Sequence, residues 1–151
     1  MIQVGDLAPN FRGTAGDGTP FELASRRGKP VILYFYPKAH TTGCSLETRG
    51  FAQQYPELQK AGIDVIGVSV DSVEDQKSFA AECGAAFPLI SDRDKSIARS
   101  YGVLGLLGMA RRVTFFVGPD GRVQEVVEGL RPGPHVERAL ARARSAAPPP
   151  T

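Results

Sequence analysis

The 151-residue chain lacks several features that would point to a membrane, to nucleic acid or to a repetitive fold. No segment approaches the roughly 18–20 apolar residues that a membrane-spanning helix needs. Eighteen lysines and arginines nearly balance sixteen aspartates and glutamates, and a net charge of +2 is too small to suggest binding to nucleic acid. No internal repeat is visible. We therefore expect one globular domain with neither a membrane nor a nucleic acid as its partner.

Cysteine is also scarce, and its two copies do not form a recognisable pair. Cys44 and Cys83 are far apart in the chain, with no Cys-x-x-Cys motif, which argues against a dithiol reductase of the thioredoxin type. Residues 1–6 lack the basic and apolar regions of a signal peptide, which favours a cytoplasmic location. Because the cytosol keeps thiols reduced, we do not expect a permanent structural disulfide.

The strongest pattern in the chain leads into the first cysteine. The run Val31–Tyr36 is short, apolar and rich in β-branched and aromatic residues, which predicts a strand buried on both faces. Apolar residues after Cys44 recur nearly at helical spacing, so a Thr/Gly turn leads into a helix that Thr41 or Thr42 caps. The free amides and the dipole of a helix start stabilise a thiolate. Cys44 is therefore predicted to be a reactive thiol rather than a structural one.

The remaining segments alternate between strand and helix patterns. A strand, helix, strand, helix, hairpin and last helix predict an α/β domain with a mixed central sheet flanked by helices. We expect the domain to span 1–144 and an Ala/Pro-rich tail, 145–151, to be disordered. The predicted elements are helix 42–60 with a kink or break near Tyr55 caused by Pro56, strand 63–70, helix 71–84, a short strand at 87–90, helix 91–101, hairpin 113–129 and helix 134–144.

The loop 102–110 is unusually apolar. Leu104, Leu106, Leu107 and Met109 lie between three glycines. Such a loop either folds back on the core or covers a partner or a neighbouring subunit.

The spacing Pro37-x-x-x-Thr41-x-x-Cys44 resembles the active-site signature of the peroxiredoxins. With Tyr34–Lys38, Gly43 and Glu47 added, the string is most similar to their PrxQ, or bacterioferritin comigratory protein, branch. This resemblance implies a thioredoxin-like fold and a thiol-dependent peroxidase that reduces hydrogen peroxide and organic hydroperoxides through a cysteine sulfenic acid. It implies no metal, haem or flavin, and recycling by thioredoxin or a similar dithiol protein. We expect a monomer or weak dimer.

The same resemblance assigns roles to individual residues. Cys44 is the attacking thiolate, Pro37 shields it, and the Thr41 hydroxyl and the Gly43 and Cys44 amides face the peroxide. Arg112-Val113-Thr114-Phe115 matches the family's Arg-x-Thr-Phe, so Arg112 completes the set unless it is a solvated strand end. Arg111 would point to the opposite face of the strand. Glu47 either orders the arginine or is an ordinary acidic residue of the first helical turn.

The second cysteine has two interpretations. Many members of the branch carry a resolving cysteine five residues after the first, where this chain has Arg49, and some carry it on the helix that ends here at Gly84. The resemblance thus implies that Cys83 attacks the Cys44 sulfenic acid, which would require local unwinding. The alternative is a small hydrophobic residue on the buried face of that helix.

His40 and the overall function also leave alternatives open. His40 could act as a general base, although a preformed thiolate needs none. With Cys44, Cys83 and His135 it has the ligand count of a zinc site, but no compact metal-binding spacing is present. A non-enzymatic peroxide sensor or chaperone on the same fold would need the same reactive cysteine.

Overall fold

A computed structural model describes residues 1–146 of the chain. Over that range it contains seven strands, four α-helices and a short 3₁₀-helix at Leu23–Arg26. None of these helices is both long and apolar enough to cross a membrane. The strands are β1 (Arg12–Ala15), β2 (Pro20–Glu22), β3 (Val31–Phe35), β4 (Asp64–Ser69), β5 (Leu89–Ser91), β6 (Val113–Val117) and β7 (Val123–Glu128), and the helices are α1 (Thr42–Lys60), α2 (Val73–Cys83), α3 (Ser96–Tyr101) and α4 (Pro132–Ala146).

The strands form one mixed sheet in the order β2-β1-β5-β4-β3-β6-β7. Strands β3, β4 and β5 run parallel to one another, whereas β6 pairs antiparallel with β3 and with β7. At the opposite edge, β1 pairs antiparallel with both β2 and β5. This is the predicted mixed α/β sheet flanked by helices.

The central strand β3 is buried on both faces, as its apolar run predicts. All five of its residues are buried, and they alternate between two hydrophobic clusters. Ile32 and Tyr34 face the cluster that α1, α2 and α4 cover, whereas Leu33 and Phe35 face the one that α3 and the N-terminal segment cover. This burial on both sides fixes the carboxyl end of β3, from which the chain continues towards Cys44.

Several predicted boundaries differ from the observed ones. Pro56 does not break α1, which continues to Lys60, since an interior proline removes only one helical hydrogen bond and the buried face of the helix is packed. Helix α3 begins at Ser96, later than predicted, because the Asp92 carboxylate accepts the amides of Ile97 and Ala98 and holds the preceding turn.

The C-terminal helix is longer than the sequence indicates. Helix α4 begins at Pro132, a favoured residue for the first helical position, and it includes Ser145 and Ala146. The prediction of a disordered tail from residue 145 was therefore wrong for its first two residues. The rest of that predicted tail, 147–151, lies outside the described residues.

One part of the apolar loop 102–110 packs on the core, and the other part is exposed to solvent. Leu104 packs against the core and forms an isolated bridge with Ala110. Leu106 and Leu107 are exposed to 107% and 84% of their reference areas. Only part of the loop therefore folds back on the core, and its tip presents two leucines to solvent.

Candidate active site

Cys44 lies at the start of α1, a few residues beyond the end of β3. It is the third residue of the helix, and only 1% of its surface is exposed. The loop before it is fixed to the core because the Ala39 amide donates to the Asp71 carboxylate at 2.8 Å. The amides of the first helical turn have no intrahelical acceptor, so they favour negative charge at this sulfur. The structure thus places Cys44 where the sequence predicts a thiolate.

Arg112 is the cationic group that reaches Cys44. Its Nη2 donates to Cys44 Sγ at 3.4 Å, and its side chain is only 6% exposed. Two further bonds hold the guanidinium, one from Nη1 to the Glu47 carboxylate at 2.5 Å and one from Nε to the Leu130 carbonyl at 2.9 Å. Arg111 instead forms an exposed ion pair with Glu128. Of the two arginines it is therefore Arg112 that contacts Cys44, and the alternative of a solvated strand end was wrong.

Glu47 lies behind the arginine and is fully buried. Its position on the inner face of α1 rules out an ordinary solvated acid of the first helical turn. Burial raises the pKa of the Glu47 carboxyl to about 7, although the adjacent Arg112 guanidinium acts in the opposite direction. The residue contacts Arg112 and not the surface, so its effect on a substrate would pass through the guanidinium.

Gly43 leaves the space that Arg112 occupies. A Cβ atom at this position would lie 3.0 Å from Arg112 Nη2, closer than most such contacts. The absence of a side chain therefore allows the guanidinium to approach the helix start and the sulfur of Cys44. The sequence predicts a role for the Gly43 amide, but this steric role follows only from the structure.

The Thr41 side chain differs from its prediction as a helix cap. Thr41 occupies the N-cap position with an extended backbone, but its side chain makes no capping bond. Its hydroxyl instead donates to the Lys38 carbonyl at 2.7 Å, within the loop that precedes the helix. The predicted capping bond was wrong because the hydroxyl finds this acceptor three residues earlier in the chain.

A broad apolar pocket of about 660 Å³ opens beside the arginine. Pro37 and Arg112 form part of its wall, which places Pro37 next to the predicted reaction centre. The leucine-rich loop supplies much of the remaining surface. The other lining residues are Leu104, Gly105, Leu106, Leu107, Met109, Ala110, Arg111, Gly129 and Leu130.

Cys83 is buried at the C-terminal end of α2, close to the beginning of α1. Its Sγ lies 4.0 Å from the carbonyl oxygen of Ser45, the residue after Cys44. Both cysteines are free thiols. Burial raises the pKa of the Cys83 thiol, and the Arg49 guanidinium opposes this shift. The structure thus brings Cys83 to the same region as Cys44 without joining them.

His40 faces α2 and not Cys44. Its Nδ1 pairs with the Glu82 carboxylate, and its Nε2 bonds the Ser78 hydroxyl at 2.8 Å. Both ring nitrogens are therefore engaged, so the alternative of a general base acting on Cys44 was wrong. Within residues 1–146, no three His, Cys, Asp or Glu side chains are grouped as metal ligands, so the alternative zinc site is not formed there.

Two buried polar residues of this region have no role in the sequence-based prediction of the peroxide site. Thr114 and His135 are fully buried behind Arg112, and their side chains bond each other at 2.7 Å. A single threonine in the otherwise apolar strand β6 is a signal that could have identified Thr114. His135 carries no comparable signal, because its partners come from distant segments. From the sequence, the only role suggested for His135 is that of a zinc ligand.

Comparison with known proteins places this geometry in a family. The model of the AhpC/TSA family matches residues 4–126. The peroxiredoxin Bcp of Escherichia coli is 34% identical over 146 residues, which cover 92% of this chain and 94% of the relative. Most of the chain is therefore related to a curated peroxiredoxin.

Solved structures give the same assignment. The peroxidoxin BcpB of Mycobacterium tuberculosis has a TM-score of 0.88 at 32% identity, covering 96% of this chain and 98% of that one. The bacterioferritin comigratory protein of Xanthomonas campestris, whose structure was described for its alkyl peroxide reduction activity, has a TM-score of 0.86 at 30% identity and covers 98% and 99%. The thioredoxin-like fold is thereby confirmed. The chain belongs to the AhpC/TSA family, and it is a peroxidase of the Bcp/PrxQ branch of peroxiredoxins.

Proposed function

We propose that Cys44 is the peroxidatic residue of this chain and that Arg112 assists it directly. The observation that carries this proposal is the 3.4 Å contact from Arg112 Nη2 to Cys44 Sγ at a buried helix start. A fixed guanidinium at this position stabilises the thiolate. During reaction it also stabilises the charge that develops on the departing oxygen.

The proposed chemistry needs only groups of this chain and the peroxide. The Cys44 thiolate attacks one peroxide oxygen, the O–O bond breaks, and the sulfur becomes a sulfenic acid. The departing hydroxide or alkoxide takes a proton and leaves as water or alcohol. Arg112 and the Gly43 and Cys44 amides are the donors that orient the peroxide. The Thr41 oxygen, whose own proton is donated to Lys38, accepts a hydrogen bond from the peroxide, and Pro37 shields the sulfur.

The apolar pocket supports organic hydroperoxides as substrates. Its wall joins Arg112 to the exposed leucines of the 102–110 loop, so a hydrocarbon chain attached to the departing oxygen would find apolar surface next to the reaction centre. The alkyl peroxide reduction ascribed to the Xanthomonas campestris relative agrees with this choice. Hydrogen peroxide needs none of these contacts, so we propose that both substrates are accepted.

We also propose that Cys83 resolves the sulfenic acid. Its sulfur attacks the Cys44 sulfur, water leaves, and an intramolecular disulfide forms that thioredoxin or a similar dithiol protein reduces. The contact of Cys83 with the Ser45 carbonyl supports this role. The disulfide requires Cα atoms within about 7 Å, and we propose that the start of α1 or the end of α2 unwinds to reach this geometry. We expect a cytoplasmic protein that is a monomer or weak dimer.

The resolving step has its own test. Peroxide-treated protein should lose both free thiols without forming a covalent dimer, and thioredoxin should restore them. If the oxidation stops at sulfenic or sulfinic acid on Cys44 and Cys83 stays reduced, the chain is a one-cysteine enzyme. Cys83 is then only a buried apolar residue.

The peroxidase function is tested by continuous peroxide consumption in the presence of thioredoxin and thioredoxin reductase. Wild-type protein should turn over many equivalents, and Cys44→Ser should turn over none while keeping its fold. Retained turnover in Cys44→Ser would refute the role of this residue. Consumption that ends after one equivalent, with every thiol donor tried, would favour the alternative of a peroxide sensor or chaperone.

A further inference from the structure

A closed polar cluster lies behind Arg112, away from the pocket. Its members are Glu47 on α1, Thr114 on β6 and His135 on α4, and all three are fully buried. Glu47 Oε1 accepts the bond from Arg112, but Oε2 has no hydrogen-bond partner among residues 1–146. The basic atom that faces it is His135 Nδ1, at 3.8 Å. A buried carboxylate oxygen without a donor is costly, so this arrangement needs an explanation.

The hydrogen bonds of His135 show which atoms can carry a proton. Its Nε2 lies 2.9 Å from the Gly129 carbonyl, which can only accept, so Nε2 bears a hydrogen. In the neutral ring Nδ1 is then the acceptor, and the Thr114 hydroxyl donates to it at 2.7 Å. The single proton of Thr114 is thereby used. No hydrogen remains to lie between His135 Nδ1 and Glu47 Oε2 unless the pair gains one.

Electrostatics favours that additional proton. With Cys44 as thiolate, Arg112 protonated, Glu47 ionised and His135 neutral, the buried site would carry a net charge of −1. Burial raises the pKa of Glu47 to about 7 and lowers the pKa of His135. The remaining titratable group that faces Glu47 is the Tyr34 hydroxyl of β3. Burial raises the pKa of this hydroxyl well above its ordinary value, so it stays neutral. One proton on the pair makes the site electrically neutral.

We propose that Glu47 and His135 hold one proton between them in the reduced protein, on the Glu47 carboxyl group, and release it when Cys44 is oxidised. The peroxide step consumes the negative charge of the thiolate, because the sulfenic acid is neutral. Arg112 then needs another anion, and Glu47 becomes that anion by losing the shared proton. The departing hydroxide takes one proton from solvent while the pair returns one, so the thiolate, the protonated carboxyl and H₂O₂ become sulfenic acid, carboxylate and water.

This exchange would make Glu47 and His135 positioning residues that act through Arg112. In the reduced state the neutral pair leaves the charge of the guanidinium available to the thiolate and the peroxide. After oxidation the ionised Glu47 holds the guanidinium while Cys83 approaches. The exchange rests on the proposed reaction of Cys44 with peroxide, and it adds a second ionisation to that reaction.

Proton counting tests the proposal. Reduced protein is mixed with one equivalent of H₂O₂ in weak buffer containing a pH indicator, at roughly pH 6, where a carboxyl group with a pKa of about 7 is mostly protonated. Glu47→Gln keeps an acceptor for Arg112 but cannot ionise, so it should take up as much as one proton more per oxidised cysteine than wild type. Glu57→Gln, an exposed substitution on α1, should behave as wild type.

Infrared difference spectra supply a second measurement, whose first signal comes from the wild-type protein alone. Reduced minus oxidised wild type should show the carbonyl stretch of a protonated carboxyl group, and Glu47→Gln should lack it. His135→Gln should shift the frequency of this band, because an amide replaces the ring nitrogen that faces the carboxyl group. A purely structural His135 would leave it unchanged.

The outcomes separate this proposal from the proposed function. Equal proton uptake by wild type and Glu47→Gln, or a wild-type spectrum without the carboxyl band while Cys44 is oxidised, would overturn the shared proton and leave the peroxidase chemistry standing. Unchanged thiols after peroxide treatment of wild type would instead refute the reaction of Cys44 itself.

Discussion

At the scale of single residues, Gly43 combines a steric requirement with a helical position. It is the second residue of α1, its φ is not in the left-handed region, and a Cβ there would lie 3.0 Å from Arg112 Nη2. Gly43→Ala should therefore displace the guanidinium by a few tenths of an ångström and lower the rate constant for H₂O₂ by roughly tenfold. Because alanine favours a helix, stability should stay equal or rise by up to about 1 kcal/mol.

The matched control for Gly43 is Gly133, the second residue of α4. Beyond its own chain neighbours and the helix backbone, a Cβ at Gly133 would meet no atom nearer than Glu137 Oε1, at 4.0 Å. Gly133→Ala should leave the peroxide rate unchanged. Stopped-flow kinetics and denaturant unfolding of both variants check the prediction. A Gly43→Ala protein with the wild-type rate would show that Arg112 does not need this space.

Because its pKa is raised, Glu47 should make the unfolding free energy of the reduced protein fall as the pH rises. Its folded pKa of about 7 lies above the ordinary value of 4.5, so the native state binds more protons than the unfolded chain between these values. The associated stability is fully present below pH 4.5 and is lost as the pH rises through 7. Relative to Glu47→Gln, wild type should lose up to about 3 kcal/mol of unfolding free energy over this range.

Denaturant titrations of both reduced proteins at several pH values measure this difference. Burial lowers the pKa of His135, which gives the unfolding free energy a pH dependence of the opposite sign. The stability associated with neutral His135 is lost as the pH falls below its ordinary pKa of 6.5. His135 is present in both proteins, so the difference between them reports the titration of Glu47 together with its coupling to His135. Parallel stability curves for wild type and Glu47→Gln would mean that Glu47 titrates normally.

At the scale of elements, one acidic residue connects α2 to both segments that carry the reaction centre. Glu82, next to Cys83, pairs with His40 of the loop before α1 and lies 3.8 Å from Arg49 of α1. These partly exposed contacts are together worth about 0–1 kcal/mol. Because the proposed disulfide needs local unwinding here, Glu82→Gln should speed disulfide formation after oxidation by up to about fivefold.

Glu74→Gln is the control for Glu82, since Glu74 is an exposed acid in the first turn of the same helix. Rapid acid quench followed by thiol counting gives the rate of the disulfide step in each variant. We expect Glu74→Gln to match wild type. Equal acceleration in both variants would mean that the general stability of α2 controls the step rather than the contacts of Glu82.

The elements themselves were largely predictable, because their patterns are local. The apolar run of β3, the serine cap of α2 and the left-handed Gly84 at its end follow from residues within one or two turns. The wrong predictions concern residues whose local structure depends on a distant or competing partner. Thr41 bonds the Lys38 carbonyl instead of capping, and packing carries α1 through Pro56.

At the scale of the whole molecule, the sheet creates the site. Cys44 and Arg112 are 68 residues apart, and they meet because β3 pairs with β6. Phe35 lies opposite Val113, at the end of β3 from which the chain continues to Cys44, and Val113 directly follows Arg112. The periodicity of the sequence cannot give this register. Arg112 was identified through a family motif, whereas the contacts of Glu47, Thr114 and His135 follow only from the packing of α1, β6 and α4.

This sheet pairing places the Arg112 guanidinium on the sulfur that we propose reacts with peroxide. The most direct test is the second-order rate constant of the reduced protein with H₂O₂ for Arg112→Ala and Arg111→Ala. These neighbouring arginines differ in that one contacts Cys44 and the other forms an exposed pair with Glu128. Arg112→Ala should lower the rate constant by roughly 10²-fold or more, as expected for the loss of one oriented donor. Arg111→Ala should leave it nearly unchanged, and an equal or larger loss in Arg111→Ala would contradict the proposed role of Arg112.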